Sequence, residues 1–227
     1  MEPLNLLLVG TEPGLTDLRL DGGHLALDFV NTLGGLRGRE PQPHDEFIHD
    51  YGDLLTWCRL TAVLDREGAE RLTRRARRRP SNAAATFRRG LEIRALLDRV
   101  FRSIAEGRTP ATRDLSALRD EASRALQKAE LTAEAGGFRW SWPDRRTLEA
   151  PLWPLTHAAA ELLTEGPLER LRSCDRCRWL FLDESKNRSR RWCSMEDCGT
   201  DAKKERYVER RRRRRKAGTG QRRPASA

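Results

Sequence analysis

Four cysteines, Cys174, Cys177, Cys193 and Cys198, fall within 25 residues of one another and constrain this chain more than any other feature. They form a Cys-x2-Cys pair and a Cys-x4-Cys pair separated by fifteen residues, close to the paired-cysteine spacing of structural zinc sites. Unrelated buried or reactive thiols are the alternative, and in a compartment that keeps thiols reduced such a cluster favours metal over disulfides. Four thiolates complete tetrahedral zinc, so one structural ion would hold a small module together and perform no chemistry. A module of this size needs the metal as its core. Trp179-Leu180-Phe181-Leu182 has strand composition and Ser194 onward reads as helix, an order of knuckle, strand and helix that suits a treble-clef-like finger. Cys58 stands apart and is expected in a core.

Charge divides the chain at the same place. Residues 170–227 hold 20 Lys/Arg against 8 Asp/Glu, a net +12, whereas the remaining 169 residues hold 24 against 26, a net −2. A chain of 227 residues fits one large domain or a domain plus a small module, and the asymmetry favours the second. Lys186, Arg188, Arg190 and Arg191 lie between the cysteine pairs, and Lys203, Lys204 and Arg206 follow them. This is a nucleic-acid footprint, because guanidinium and ammonium groups meet phosphates and release counterions. Those seven cations, held on a metal scaffold, are the candidates for defined contacts. The run Arg210, Arg211 and onward to Arg215 reads as a helix extension or nonspecific clamp, or else as a solubilising tail. If about 6–8 phosphates were engaged, log K would fall with log salt at a slope near −6 on duplex DNA. Trp179 and Trp192 are expected to pack around the metal, with base stacking the alternative. Tyr207 and Val208 are expected to dock the helix on that core.

The rest of the chain reads as helical. Asp21 to Thr32 suits either a short strand or the start of a helix, and Gly34 to Asp45, with three Gly and two Pro, marks a loop. Helical spacing follows over Asp50 to Leu60 and Asp65 to Arg78, where Pro80 stops the pattern. Ser81 is expected to cap a long helix running out at Gly107, and a fourth covers Thr112 to Leu126. Arg71, Arg74, Arg75 and Arg78 form a stripe, with Glu67 and Glu70 four residues before Arg71 and Arg74 to pair with them. Lys128 to Ala133 and Phe138 to Trp142, around a Gly pair, read as a β-hairpin, and Pro151 to Leu163 as a further helix. Trp140, Trp142 and Trp153 belong to core packing or to a small-molecule pocket between hairpin and helix.

Membrane and enzyme readings find little support. The longest aliphatic runs, such as Leu6 to Val9, are far short of the ~20 apolar residues of a span. No secretory signal is evident, so a cytoplasmic protein is expected, nucleoid-associated if it binds DNA. His44 and His49 lack the zincin spacing, Gly34-Gly35-Leu36-Arg37-Gly38 lacks a phosphate-loop Lys-Ser/Thr, and His24 and His157 have no visible nucleophile or acid partner. The chain is not expected to be an enzyme.

Cys177 to Gly199 (CRWLFLDESKNRSRRWCSMEDCG) resembles the CGNR zinc finger. Leu20-Asp21-Gly22-Gly23 with Leu27 to Thr32 (LDFVNT) is similar to the start of the ABATE domain, which precedes this finger in bacterial proteins described as stress-induced transcription regulators. Together the resemblances cover nearly the whole chain. They imply zinc on Cys174, Cys177, Cys193 and Cys198, a mostly helical N-terminal domain and nucleic-acid binding by the finger. The chain departs from the naming motif at Thr200-Asp201, where the family has Asn-Arg, exchanging a cation for an anion. The expected architecture is mainly α with a small β-hairpin: a multihelical ABATE-like domain over residues 15–168, a treble-clef-like four-cysteine finger with a basic helix over 170–216, and a disordered tail over 217–227. The expected function is a DNA-binding transcription regulator, with duplex DNA the favoured partner. RNA binding, or an adaptor role in which the finger binds an acidic protein, are the alternatives. By analogy, the N-terminal domain would supply homodimerisation or a small-molecule effector site.

Overall fold

The structure, a computed structural model, describes Leu15, residues 18–143 and residues 146–219, with side chains through residue 213. The segment that suited strand or helix is a helix, α1 (Leu25–Val30). The Asp28 carboxylate folds back to accept from the Gly22 N–H at 2.8 Å, Gly23 turns the chain at φ +72°, and His24 Nδ1 caps the Ala26 N–H. Extended backbone could not close this knot, because acceptor and donor are six residues apart.

Helices α2 (Tyr51–Leu60) and α3 (Arg66–Arg78) each begin at an aspartate that accepts from the backbone three residues on, Asp50 from Asp53 and Asp65 from Gly68. On α3, Arg71 pairs with Glu67 as expected, but Glu70 reaches back to Arg66 at 3.0 Å and not forward to Arg74. Pro80 ends α3 and also opens α4 (Pro80–Ala105), so Ser81 lies inside α4 and does not cap it. Proline needs no N–H in a first helical turn and keeps the preceding residue, Arg79, out of the helical region. Helix α5 (Thr112–Leu126) leads into the expected hairpin of β1 (Glu130–Glu134) and β2 (Gly137–Ser141), and α6 (Leu152–Glu165) follows. The helices close on one core around Phe29 and Trp57, whose rings lie 5.3 Å apart, with Leu72, Leu97, Phe101 and Leu155 buried beside them. Cys58 is fully buried there. Arg94 crosses this layer as a buried cation, forked onto both oxygens of Glu46 at 2.5–2.6 Å.

Core packing accounts for Trp142 and Trp153, and a cavity lies beside Trp140 and Trp142. Trp142 and Trp153 form a small core with Ala125 and Ala150, and the Trp142 indole N–H donates to the Ala125 carbonyl at 2.8 Å. Trp140 packs edge-on to His157 and lines a cavity of about 520 Å³ shared with Leu25, Val63 and Pro154.

Two short antiparallel strands, β3 (Leu171–Ser173) and β4 (Leu180–Leu182), begin the cysteine module. Their apolar face does not wait for a metal, because Leu171, Leu180 and Leu182 are buried in the same core as the helices. The buried Asn31 side chain holds both backbone groups of Leu180, accepting its N–H at 2.9 Å and donating to its carbonyl at 2.8 Å. The module is thus fastened to the helical domain through shared packing, which narrows the expectation that metal supplies its whole core. Helix α7 (Thr200–Thr219) runs three residues into the segment expected to be disordered, and the rest of that tail lies outside the described residues. Among the described residues no helix is long and apolar enough to cross a membrane.

Candidate metal centre

Cys174 and Cys177 sit on the turn between β3 and β4, which the Cys174 N–H closes onto the Trp179 carbonyl at 2.9 Å. The second pair approaches from the far end of a loop that Asp183 organises. Its fully buried carboxylate accepts from the Ser185 and Arg190 N–H groups, both at 2.9 Å. Burial works to raise the Asp183 pKa, but these hydrogen bonds outweigh it and hold the group below its ordinary value. Ser194 then caps a π-helical turn, Met195–Gly199, accepting from the Glu196 and Asp197 N–H groups at 3.2 Å, and that turn delivers Cys198.

The four Sγ atoms lie within 4.8 Å of one another, with Cys177–Cys193 at 3.5 Å and Cys193–Cys198 at 3.7 Å. A tetrahedron with Zn–S bonds of about 2.3 Å has an S–S edge of roughly 3.8 Å, so the spacing is that of a four-thiolate metal site. Hydrogen bonds from Cys177 and Cys193 hold the Cys174 pKa down, whereas the bond to Cys174, with burial behind it, pushes those of Cys177 and Cys193 up. Four thiolates this close cannot coexist without a cation between them. Phe181, Trp179 and Trp192 pack around the cluster, as expected of both tryptophans.

The candidate cations fall into distinct groups. Arg190 turns inward, donating to the Trp192 carbonyl at 2.9 Å and to the Cys193 carbonyl, with its guanidinium 4.5 Å above the Phe181 ring. Arg188 faces Glu169 at 3.3 Å and Arg191 holds Asp175 at 2.7 Å, while Lys186 is exposed on the same loop. On α7, Lys204 pairs with Asp201 at 3.4 Å and Arg211 covers Tyr207. Lys203, Arg206, Arg210 and Arg213, three or four residues apart, form one exposed stripe on α7, flanked by Glu205 and by Glu209, which holds Arg213 at 2.9 Å. Tyr207 and Val208, expected to dock the helix, are instead 54% and 47% exposed. They lie more than a turn beyond the last ligand, past the reach of the small cluster around the thiols.

Asp201, which stands where the family has arginine, has an internal partner: Arg176 meets it at 3.4 Å and Glu205 at 2.5 Å. Asp183 and Asn31 were not legible as site residues from sequence. For Asp183 a signal existed in the Asp-x-Ser turn pattern; for Asn31 none did, since its partner lies 149 residues away.

Comparison with known families gives two matches in chain order. Residues 23–166 match ABATE, described as a "putative stress-induced transcription regulator", and residues 170–211 match the CGNR zinc finger. No curated protein matches the chain. The four cysteines positioned for a metal ion lie within the second match, and the mainly helical domain with its hairpin fills the first. The chain therefore belongs to the ABATE family and carries a CGNR zinc finger as its C-terminal module.

Proposed function

We propose that this chain is a zinc-dependent, DNA-binding regulator of transcription that acts by binding and not by catalysis. The observation that carries the reading is the stripe Lys203, Arg206, Arg210 and Arg213 on an exposed helix rooted at the metal centre. Twenty helical residues span about 30 Å, and an α-helix of this width fits the major groove of B-DNA. The stripe supplies counterion-releasing phosphate contacts. Zinc bound by Cys174, Cys177, Cys193 and Cys198 would fix the root of that helix, with all four positions occupied by protein ligands.

The test is selection of a random duplex library on the zinc-loaded full-length protein, with the double variant Lys203→Ala/Arg206→Ala in parallel. A reproducible motif, lost in the variant, is the expected result. Arg190 is unsuitable for this purpose, because removing it would disturb the finger itself. The exposed Tyr207 ring favours a second reading, stacking on single-stranded or RNA targets. An RNA library run alongside separates the two, and binding that survives nuclease treatment would identify an acidic protein partner instead.

A further inference from the structure

The basic surface continues past the finger onto the N-terminal domain. A cleft of about 430 Å³ opens where residues 34–39 meet the Cys174–Cys177 knuckle, with Trp192 on the finger side and Arg37 and Arg39 on the other. We infer that this cleft seats a phosphodiester strand of duplex DNA, so that the nucleic-acid surface is composite and Arg39 of the N-terminal domain is one of its phosphate contacts. The inference rests on the DNA-binding reading above.

Position comes first. The loop lies against the knuckle as an added strand: Leu36 bridges Cys177, the Arg37 N–H donates to the Arg176 carbonyl at 3.0 Å, and the Arg178 N–H donates to the Gly35 carbonyl at 3.1 Å. Gly35 at φ +104° and Gly38 at φ +75° make the turns this path requires. The loop cations are therefore set relative to the metal site before any ligand arrives, which removes the ordering cost of a mobile loop.

Charge comes second. Five arginines, Arg37, Arg39, Arg176, Arg191 and Arg206, line the cleft against two acids, Asp175 and Glu205. Asp175 is shared by Arg37 at 3.6 Å and Arg191 at 2.7 Å, and Glu205 holds Arg176 at 2.5 Å. Among the described residues, Arg39 and Arg206 have no carboxylate within ion-pair distance and carry two of the three surplus charges, the third lying on the Arg37–Arg191 pair that shares Asp175. Trp192 adds a flat apolar face, with the Arg191 and Arg206 guanidinium groups 5.4 and 5.8 Å from its ring centroid. Anionic oxygens between sugar units are the chemistry that meets isolated guanidiniums beside an aromatic face. Arg206 belongs both to the α7 stripe and to the cleft, so one strand tracking the helix passes directly into it.

The test is a fluorescence-anisotropy titration of the zinc-loaded full-length protein with a labelled 20-base-pair duplex over a range of salt concentrations. Arg39→Ala should weaken binding about five- to tenfold near 0.1 M salt and reduce the magnitude of the log–log salt slope by about one. Arg39→Lys should restore most of both, and Arg119→Ala, which removes an exposed cation on α5, should leave both unchanged. Wild-type binding with an identical slope for Arg39→Ala overturns the composite surface and leaves the DNA reading intact. Wild-type protein that shows no salt-dependent duplex binding overturns both.

Discussion

Replacing Asn31 with alanine tests whether finger and helical domain fold as one body. The Asn31 side chain is 1% exposed and closes two hydrogen bonds on Leu180, at 2.8 and 2.9 Å, taking the place of a neighbouring strand. Asn31→Ala leaves the Leu180 N–H and carbonyl buried without partners, and each such group costs about 1–3 kcal/mol. The expected loss is about 2–6 kcal/mol, or roughly 4–24 °C in Tm for a chain of this size at about 2–4 °C per kcal/mol. Asn31→Asp should cost at least as much, because a carboxylate can accept from Leu180 but cannot donate to its carbonyl. Asn187→Ala, in the exposed loop, should stay within about 0.5 kcal/mol of wild type. The assay is urea unfolding at saturating zinc, followed by circular dichroism and tryptophan fluorescence. A loss below about 1 kcal/mol for Asn31→Ala would refute the docking argument.

Two further outcomes follow from the same geometry. Chelation should release residues 174–179 and 183–199 in hydrogen exchange while the amides of Leu171 and Leu182 stay protected by the main core; uniform exchange across 170–199 would show that metal supplies the whole module's core. Burial raises the Asp28 pKa from the ordinary carboxylate value to about 6, so the folded state binds its proton more tightly than the unfolded chain. Its contribution is then largest below about pH 4 and declines as pH rises through 6, by about 3 kcal/mol at the ~1.4 kcal/mol per pK unit of linkage. Asp28→Asn keeps an acceptor for the Gly22 N–H, so stability relative to wild type should rise across that window; a pH-independent difference would refute the assignment.

Local chemistry made much of this protein legible in its sequence. Paired cysteine spacing declared the metal site, helical periodicity placed α2 to α6, and a Gly pair between alternating aromatics placed the hairpin, because each depends on residues a few positions apart. Pro80 signals a stop in the sequence and serves also as a start, since the same missing N–H that ends one helix suits the first turn of the next. Residues whose roles depend on distant partners could not be read this way. Arg190 has the sequence context of a phosphate ligand, but its guanidinium bonds the Trp192 and Cys193 carbonyls, and Tyr207 has that of a packing residue, but α7 extends beyond the cluster. The stretch Gly34 to Asp45 read only as a loop, yet backbone hydrogen bonds to the knuckle lay part of it alongside the metal site. The sequence by itself determined five of the helices, the hairpin, the four cysteines that cluster and the polarity of charge. Tertiary structure alone decided which cations remain unpaired at the surface and which cations of the two domains come together, because pairing is a matter of distance between side chains that sequence order does not encode.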